Sequence, residues 1–519
     1  MFVPKLNSRT YQIYVAGEWR DSLSETLLPN IVPAHKSQVL GYVSETTDRE
    51  VDNAMIAADA AFPAWRAVSG NVKTKIFLHL AQIMYARYED FQQTMSREMG
   101  KTLFDCKLDL DEAIGVVECV APQGLSLKGE TYQKNIDGVV MESRLEPRGV
   151  AAIITPFNFP VAIPVAQVVA ALVTGNTVVW KPSHLIPESS QAIAAALDEA
   201  FAWAKEKLGV TVPPGTFNMV SGDVWPGQAV TTHPVVKCLS FTGSKPVGDA
   251  VDATASGLGK RVMKEVGGIN LFYVHKDADI ARAAKNFVYG KTITGGQRCT
   301  SIQEALCDES VYDAFVAAAI EETKGIVTGD GSSPELAEAD RTPGRYSLPP
   351  LVSEEQQARV LGLVEQSVGQ GANIRHQIAV PESLAGEGCY VPFTLLENVG
   401  PENVLYTTEI FGPVGVLTRV KNITEAIRII NAKIGIVACI DSQNKDASEH
   451  FIQSVLRTRV DDGRHGTGAF WATRFGGDRG AGSGNPALDE NMVMGYVLWK
   501  TIYRAYKPFA EPEDDDAGI

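Results

Sequence analysis

The sequence predicts an α/β fold with one doubly wound unit and a second α/β unit, and three observations carry that prediction. From Gly149 to Lys181 an apolar run, Gly-Val-Ala-Ala-Ile-Ile-Thr, is followed by an aromatic turn, a helical stretch to about Thr174, and a second run, Thr-Val-Val-Trp-Lys. Strand, helix, strand in that order favours parallel pairing with a right-handed crossover. The alternation repeats through a helix at about Ser189 to Leu208, a strand at Thr216 to Ser221 and another at Val236 to Phe241, the pattern of an open doubly wound sheet. The chain has 519 residues, too many for one hydrophobic core, so two or three domains are expected.

Before that unit, Tyr-Gln-Ile-Tyr-Val and Ala-Gly-Glu-Trp predict a hairpin bending at Gly17. From Asp48 to about Met99, Val51, Met55, Ala58, Phe62, Phe77, Leu80, Ile83 and Met84 recur at helical spacing with a break near Gly70, and a further helix is expected from about Leu103 to Leu125. Residues 129–148 suit two extended strands. A second α/β stretch is expected from Val262 to about Arg459, with strands at Leu271 to His275, Ile302 to Cys307, Val414 to Val420 and Gly435 to Ile440. Residues 327–350 are rich in Gly, Pro and Ser and predict a long surface excursion, while the segment around Ala204 to Val212 predicts a surface insertion.

Charge and cysteine usage exclude several function classes. Lys and Arg number 47 against 62 Asp and Glu, a net charge of -15 without a basic cluster, which argues against a nucleic-acid or anionic-membrane partner. Seven cysteines without Cys-x-x-Cys spacing predict neither a disulfide framework nor a metal site. The longest apolar stretch, Val161 to Val173, is interrupted by Gln167 and falls short of the ~20 residues that span a bilayer. The first residues lack the apolar core of a signal peptide, so a cytoplasmic location is expected.

Phosphate-binding patterns fail in two places: Gly100-Lys-Thr has Met95, and Gly290-Lys-Thr has Lys285, where a P-loop needs its first Gly. Phe241-Thr-Gly-Ser-Lys-Pro-Val-Gly248 is different. Gly243 and Ser244 form a tight turn after a strand, and a helix from about Pro246 would present free N–H groups and its positive dipole end to a pyrophosphate. The alternative is a plain strand-to-helix turn. Lys181-Pro-Ser183 ends an earlier strand and could face the same crevice, or be a solvated loop lysine.

Cys299, in Thr-Gly-Gly-Gln-Arg-Cys-Thr-Ser, is the candidate nucleophile. Flanking glycines allow close approach, and Arg298 adds positive potential that would favour a thiolate; an inert buried thiol is the alternative. No His lies within twenty residues, so a base must come from elsewhere. Glu265, in Lys-Glu-Val-Gly-Gly, could serve if burial raises its pKa. Asn158, in Pro-Phe-Asn-Phe-Pro, offers an amide donor for an oxyanion, or is simply an Asx-turn residue.

Taken together, Pro156-Phe-Asn-Phe-Pro160, Lys181-Pro-Ser, Phe241-Thr-Gly-Ser, Glu265-Val-Gly-Gly, Gly296-Gln-Arg-Cys-Thr and Glu409-Ile-Phe-Gly-Pro-Val414 resemble, in identity and order, the motifs of the aldehyde dehydrogenase superfamily over residues 12–505. The resemblance implies a Rossmann-like cofactor domain (1–128 and 149–262), an α/β catalytic domain (263–465), an oligomerisation flap of strands (129–148 and 485–507), and an acidic tail (508–519). It implies Cys299 as nucleophile, Glu265 as general base, and Asn158 with the Cys299 N–H as oxyanion donors. For the cofactor, NAD or NADP, it implies Lys181 at the adenosine ribose, Ser244 at the pyrophosphate, and Glu409 and Phe411 at the nicotinamide. Thr155, Pro156, Phe157, Ser183, His184, Gly222, Phe241, Gly243, Val247 and Gly267 complete that set. A homodimer or homotetramer, and a small aldehyde substrate, follow from the same resemblance.

Two departures stand out. His184 occupies a position where many NAD-preferring relatives carry Glu, which removes a repulsion against a 2′-phosphate and opens the site to NADP. The stretch from Val460 to Trp471 is atypical, and Phe475-Gly-Gly-Asp-Arg-Gly-Ala carries Arg479 and Ala481 where Lys and Ser are common. The leading expectation is a non-acylating aldehyde oxidation, with a semialdehyde among the substrates because the Gln-Arg-Cys-Thr-Ser and Asn-Phe-Pro forms are similar to those of aminoadipate-semialdehyde enzymes. The rivals are a coenzyme A-acylating relative, against which Glu265 counts, and a non-catalytic binding protein on the same fold, against which the Cys299, Asn158 and Glu265 set counts.

Overall fold

The structure, a computed structural model, describes residues 10–133, 138–485 and 487–506. The acidic tail lies outside the described residues. Two large sheets organise the chain. The first is made of β1 (Ile13–Val15), β2 (Glu18–Arg20), β3 (Val150–Ile154), β4 (Thr177–Lys181), β5 (Phe217–Met219), β6 (Val236–Gly243) and β7 (Arg261–Val266). The second is made of β8 (Asn270–Val274), β9 (Ile302–Asp308), β10 (Asn373–Ile378), β11 (Phe393–Glu397), β12 (Val414–Val420), β13 (Val437–Asp441) and β14 (Arg459–Asp462). A short β15 (Gly482–Ser483) returns to close the first sheet.

The first sheet has the order β15-β7-β6-β3-β4-β5-β1-β2, parallel from β7 to β5. Chain order runs one way from β3 through β4 to β5 and then the other way through β6 to β7. That reversal makes a crevice beyond the carboxyl ends of β3 and β6, the place where open α/β sheets bind ligands. The second sheet, β10-β11-β12-β9-β8-β13-β14, is parallel except for β10. The expected boundary at 262 falls inside β7. Because β7 pairs with β6 from Cys238↔Arg261 to Gly243↔Val266, Glu265 belongs to the first sheet, and the second begins only at β8.

Helices α1 (Asp48–Ala67), α2 (Gly70–Ala86), α3 (Tyr88–Met99) and α4 (Leu103–Val120) form the expected helical region, with a second break at Arg87. After β3 comes α5 (Ala162–Val173), whose residues are apolar nearly all round and almost all buried, as a helix enclosed on every side must be. It packs against α4 and β4 and supplies one wall of the crevice. Further along come α6 (Pro187–Leu208), α7 (Val224–Thr232), α8 (Lys245–Gly257) and α9 (Ile280–Thr292).

Residues 327–350 do not form a bare surface excursion. Ile326–Thr328 pairs in parallel with Tyr346–Leu348, and Pro334–Ala339 is helical between them. The reason is apolar spacing hidden among the Gly and Pro residues: Leu336, Tyr346 and Leu348 are buried, and the segment seals the start of α4 through Leu103 N–H to Gly331 O (3.2 Å) and Thr102 Oγ1 to Asp340 (2.5 Å). The flap is a three-stranded antiparallel sheet of Glu130–Thr131, Val139–Pro147 and Val497–Ala505. Within the expected 485–507 its last strand begins only at Val497, because Glu490–Tyr496 coils as a 3-10 helix.

Candidate active site

A cavity of about 400 Å³ opens at the carboxyl ends of β3, β6 and β7 and reaches across to the second sheet. Cys299, Glu265 and Asn158 all line it. So do Pro156, Phe157, Gly243, Ser244, Gly267, Glu409 and Phe411.

Cys299 arrives on a tightly bent segment. After α9, Thr294, Gly295 and Gly296 take φ values of 57°, 62° and 74° in succession. Gly296 is required twice over, since a Cβ there would also lie 2.3 Å from the Gly412 carbonyl oxygen. Thr294 tolerates its left-handed backbone because its side chain is clamped: Oγ1 accepts from Arg298 Nε at 2.7 Å and donates to Asp105. On the far side of the thiol, Asn270 at the start of β8 donates to the carbonyls of Cys299 (2.7 Å) and Ser301 (3.1 Å), while its Oδ1 accepts from Ile436 and Val437 N–H. All four hydrogen bonds of this buried amide are spent fixing the nucleophile loop between two strands.

Arg298 is not the dominant influence on the Cys299 thiol. Burial comes first among the influences on Cys299, followed by the carboxylates Glu409, Glu265 and Glu112, and these push the thiol up to about 12 against the single lowering influence of Arg298. The guanidinium is instead paired to Asp105 and lies over the Phe159 ring at 5.0 Å. It belongs to a buried network with Lys101, Asp105 and Asp109. In that network the Gly100-Lys-Thr triplet finds its use: Lys101 Nζ bridges Asp109 (2.9 Å) and the Asn158 carbonyl (3.3 Å), and Asp109 accepts from Ala162 N–H at 2.8 Å. The aromatic turn is thereby held at both ends. Asn158 Nδ2 donates to the Gln297 carbonyl at 3.0 Å, which ties its amide to the cysteine loop.

Glu265 is raised to about 8 by burial, opposed by one hydrogen bond from the Gly477 N–H. Glu409 is raised to about 7, again by burial, and packs on Gly267, where a Cβ would meet its Oε2 at 2.1 Å. The Phe411 and Phe157 rings stand edge-on with centroids 6.1 Å apart. In the other Gly-Lys-Thr triplet, buried Lys291 donates to Ser301 Oγ at 3.3 Å.

Toward the dinucleotide end, the Gly243–Ser244 turn feeds α8, and Ser244 makes no side-chain cap bond, leaving the first N–H groups of that helix open. Phe241 is buried below the turn, its ring 2.6 Å from where a Cβ on Gly243 would stand, so it shapes the turn without lining the cavity. Val247 is half exposed on α8. Thr155 is buried and accepts from Trp180 Nε1 at 2.9 Å. Lys181 is not a solvated loop lysine: it is buried, lowered to about 8 by desolvation, and among the described residues its ammonium makes no hydrogen bond or ion pair. A buried ammonium without a partner fits a ligand carrying hydroxyls or phosphate. Ser183, His184 and Gly222 line a separate small depression beside it. Sequence reasoning missed Asn270, Asp105, Asp109, Glu112 and Gly477. Asn270 is the second residue after Glu265-Val-Gly-Gly, and a polar residue opening an apolar strand was the signal available.

An α/β chain with this cysteine loop, amide turn and buried glutamate in one cavity belongs to the aldehyde dehydrogenase family, whose model matches residues 19–502. Among its relatives is an alpha-ketoglutaric semialdehyde dehydrogenase of Bacillus subtilis, 30% identical over 500 residues that cover 95% of this chain and 98% of the relative. Solved structures of the same fold include a betaine aldehyde dehydrogenase from Staphylococcus aureus in complex with NAD+ (TM-score 0.89, 24% identity, 96% of this chain and 95% of the other). Another is an E. coli NADP-dependent enzyme (TM-score 0.86, 26% identity, 96% and 98%).

Proposed function

We propose that the chain catalyses the NAD(P)+-dependent, non-acylating oxidation of an aldehyde to a carboxylate through a covalent intermediate on Cys299. The observation that carries the proposal is the convergence of Cys299, Glu265 and Asn158 on one cavity that continues to the Gly243–Ser244 turn. Sγ of Cys299 adds to the carbonyl carbon after losing its proton to a base; the carbonyl electron pair moves to oxygen, and the Asn158 amide and the Cys299 N–H hold that oxyanion. A nicotinamide dinucleotide, when bound, supplies the acceptor for the hydride that leaves this carbon, so that a thioester remains. Glu265 then takes a proton from water, the hydroxide adds to the thioester carbon, and the carbon–sulfur bond breaks to release carboxylate and free the thiol.

Glu409 and Phe411 would hold the nicotinamide ribose and ring, with Phe157 against Phe411. Ser244 and the α8 N-terminus would hold the pyrophosphate, and Lys181 the adenosine ribose. The relatives' substrates support a semialdehyde within the reading. Seven free cysteines support a reducing compartment, the cytoplasm; among the described residues no helix is long and apolar enough to cross a membrane.

The test is an aldehyde panel, semialdehydes included, with NAD+ and NADP+, read by reduced-cofactor absorbance with and without coenzyme A. Turnover without coenzyme A that vanishes in Cys299→Ala is expected. A rate that requires coenzyme A selects the acylating reaction instead. No turnover on any aldehyde, with Cys299→Ala indistinguishable from the wild type, overturns the reading.

A further inference from the structure

We infer that Asp223 supplies the carboxylate that position 184 lacks, and that it makes the adenosine-ribose subsite select NAD+ over NADP+; the inference rests on the cofactor assignment above. Strands β4 and β5 are parallel neighbours, with Trp180 opposite Met219, so the loops leaving their carboxyl ends run side by side. One loop carries Lys181, Ser183 and His184; the other carries Ser221, Gly222 and Asp223. The depression between them is lined by Ser183, His184, Ser221 and Gly222.

Asp223 stands at the N-cap of α7, where an aspartate usually accepts from its own helix. Here it makes no capping bond. Its Oδ1 lies instead 3.2 Å from His184 Nδ1, and its side chain is 53% exposed, open to a ligand from solvent. Gly222 makes this approach possible: its φ is +124°, and a Cβ would fall 2.8 Å from Pro226 and 3.0 Å from Glu45.

The charges beside the depression decide the preference. The Lys181 ammonium feels both Asp223 and Glu45. His184 is lowered by burial first and by Lys181, against the raising influence of Asp223, Glu355 and Glu45. Carboxylates therefore outnumber cations. A ribose 2′-hydroxyl donates a charge-assisted hydrogen bond to such a carboxylate, whereas a 2′-phosphate meets repulsion at close range. His184 thus does not open the site to NADP+, because the carboxylate absent at position 184 arrives from the adjacent strand.

The experiment is isothermal titration of the full-length protein with NAD+ and with NADP+, each without aldehyde. The wild type should bind NAD+ at least about tenfold more tightly. Asp223→Ser, and the isosteric Asp223→Asn as a control for folding, should bring the two affinities within about threefold of each other, mainly by strengthening NADP+. Equal or reversed preference in the wild type, or an unchanged ratio in both variants, overturns the role of Asp223 while leaving the proposed function standing. Binding of neither dinucleotide overturns both.

Discussion

The Glu265 carboxylate accepts a 2.6 Å hydrogen bond from the Gly477 N–H, 212 residues further along the chain. Burial raises this carboxyl to about 8, and the Gly477 bond is the one influence that lowers it. A general base works only when ionised, so thioester hydrolysis should accelerate as pH rises through about 8 and level off above. Loss of the Gly477 bond should move that limb to higher pH. Gly477→Ala tests this, because its Cβ would meet Ala481 at 2.3 Å and displace the turn. Glu265→Gln should lower steady-state kcat roughly a hundredfold or more while sparing a burst of reduced cofactor. A pH-independent rate between 6 and 9, or a lost burst, removes Glu265 from the base role.

The same raised carboxyl links stability to pH. The folded state keeps a proton that the unfolded chain releases near 4.5, so the stability it contributes is present below 4.5 and is lost as pH rises through about 8. Glu265→Gln should therefore lose less stability than the wild type between pH 5 and 8. Parallel denaturant titrations across that range read the difference, and identical slopes against pH contradict it.

Cys299 in the cofactor-free protein should be a thiol rather than a thiolate at neutral pH. Its pKa is pushed up to about 12 by burial and by Glu409, Glu265 and Glu112. Alkylation by iodoacetamide, followed by mass spectrometry at residue 299, should then speed up about tenfold for each pH unit from 7 to 9. A flat profile over that range would mean that the thiolate is already formed and that Arg298 outweighs the carboxylates.

Asn270 acts through the nucleophile it positions. Asn270→Ala would orphan the buried carbonyls of Cys299 and Ser301 and the N–H groups of Ile436 and Val437. At about 1–3 kcal/mol for each buried group left unsatisfied, a loss of several kcal/mol in stability is expected, offset in part by solvent entry. Thermal unfolding should show a clearly lowered transition, together with a fall in kcat larger than any change in KM. An unchanged transition temperature would mean that the loop holds its shape by other means.

The first sheet was legible because β3 and β4 are apolar runs buried on both faces and β6 is largely so, and the Lys181, Gly243 and Glu265 motifs mark the carboxyl ends of β4, β6 and β7. The relation of Cys299 to Arg298 was not legible in the same way. Adjacency in sequence promised a lowered thiol, but the guanidinium turns to Asp105, which sits on α4 nearly two hundred residues earlier. Likewise, His184 showed a missing carboxylate, while the carboxylate that lies beside it, Asp223, is 39 positions on, across a strand pairing that no local pattern announces. Residues 327–350 failed for a simpler reason: turn-rich composition masks three apolar residues that only tertiary packing buries.

The flap carries the expectation of a homo-oligomer. Val497–Ala505 is an edge strand, paired on one side with Val139–Pro147 and on the other side with none of the described residues. Trp499 and Tyr503, four residues apart on one face, are 49% and 65% exposed, and Leu498 and Tyr506 add further apolar surface. An unpaired edge with exposed aromatics is a ready surface for a second copy of the chain. Light scattering coupled to size-exclusion chromatography should therefore give the mass of a dimer or tetramer. Replacing both aromatics, Trp499→Glu with Tyr503→Glu, should shift that mass toward the monomer at micromolar concentration, because burying two unpaired carboxylates is unfavourable. A monomeric wild type, or a double variant that keeps the full assembly, would place the interface elsewhere.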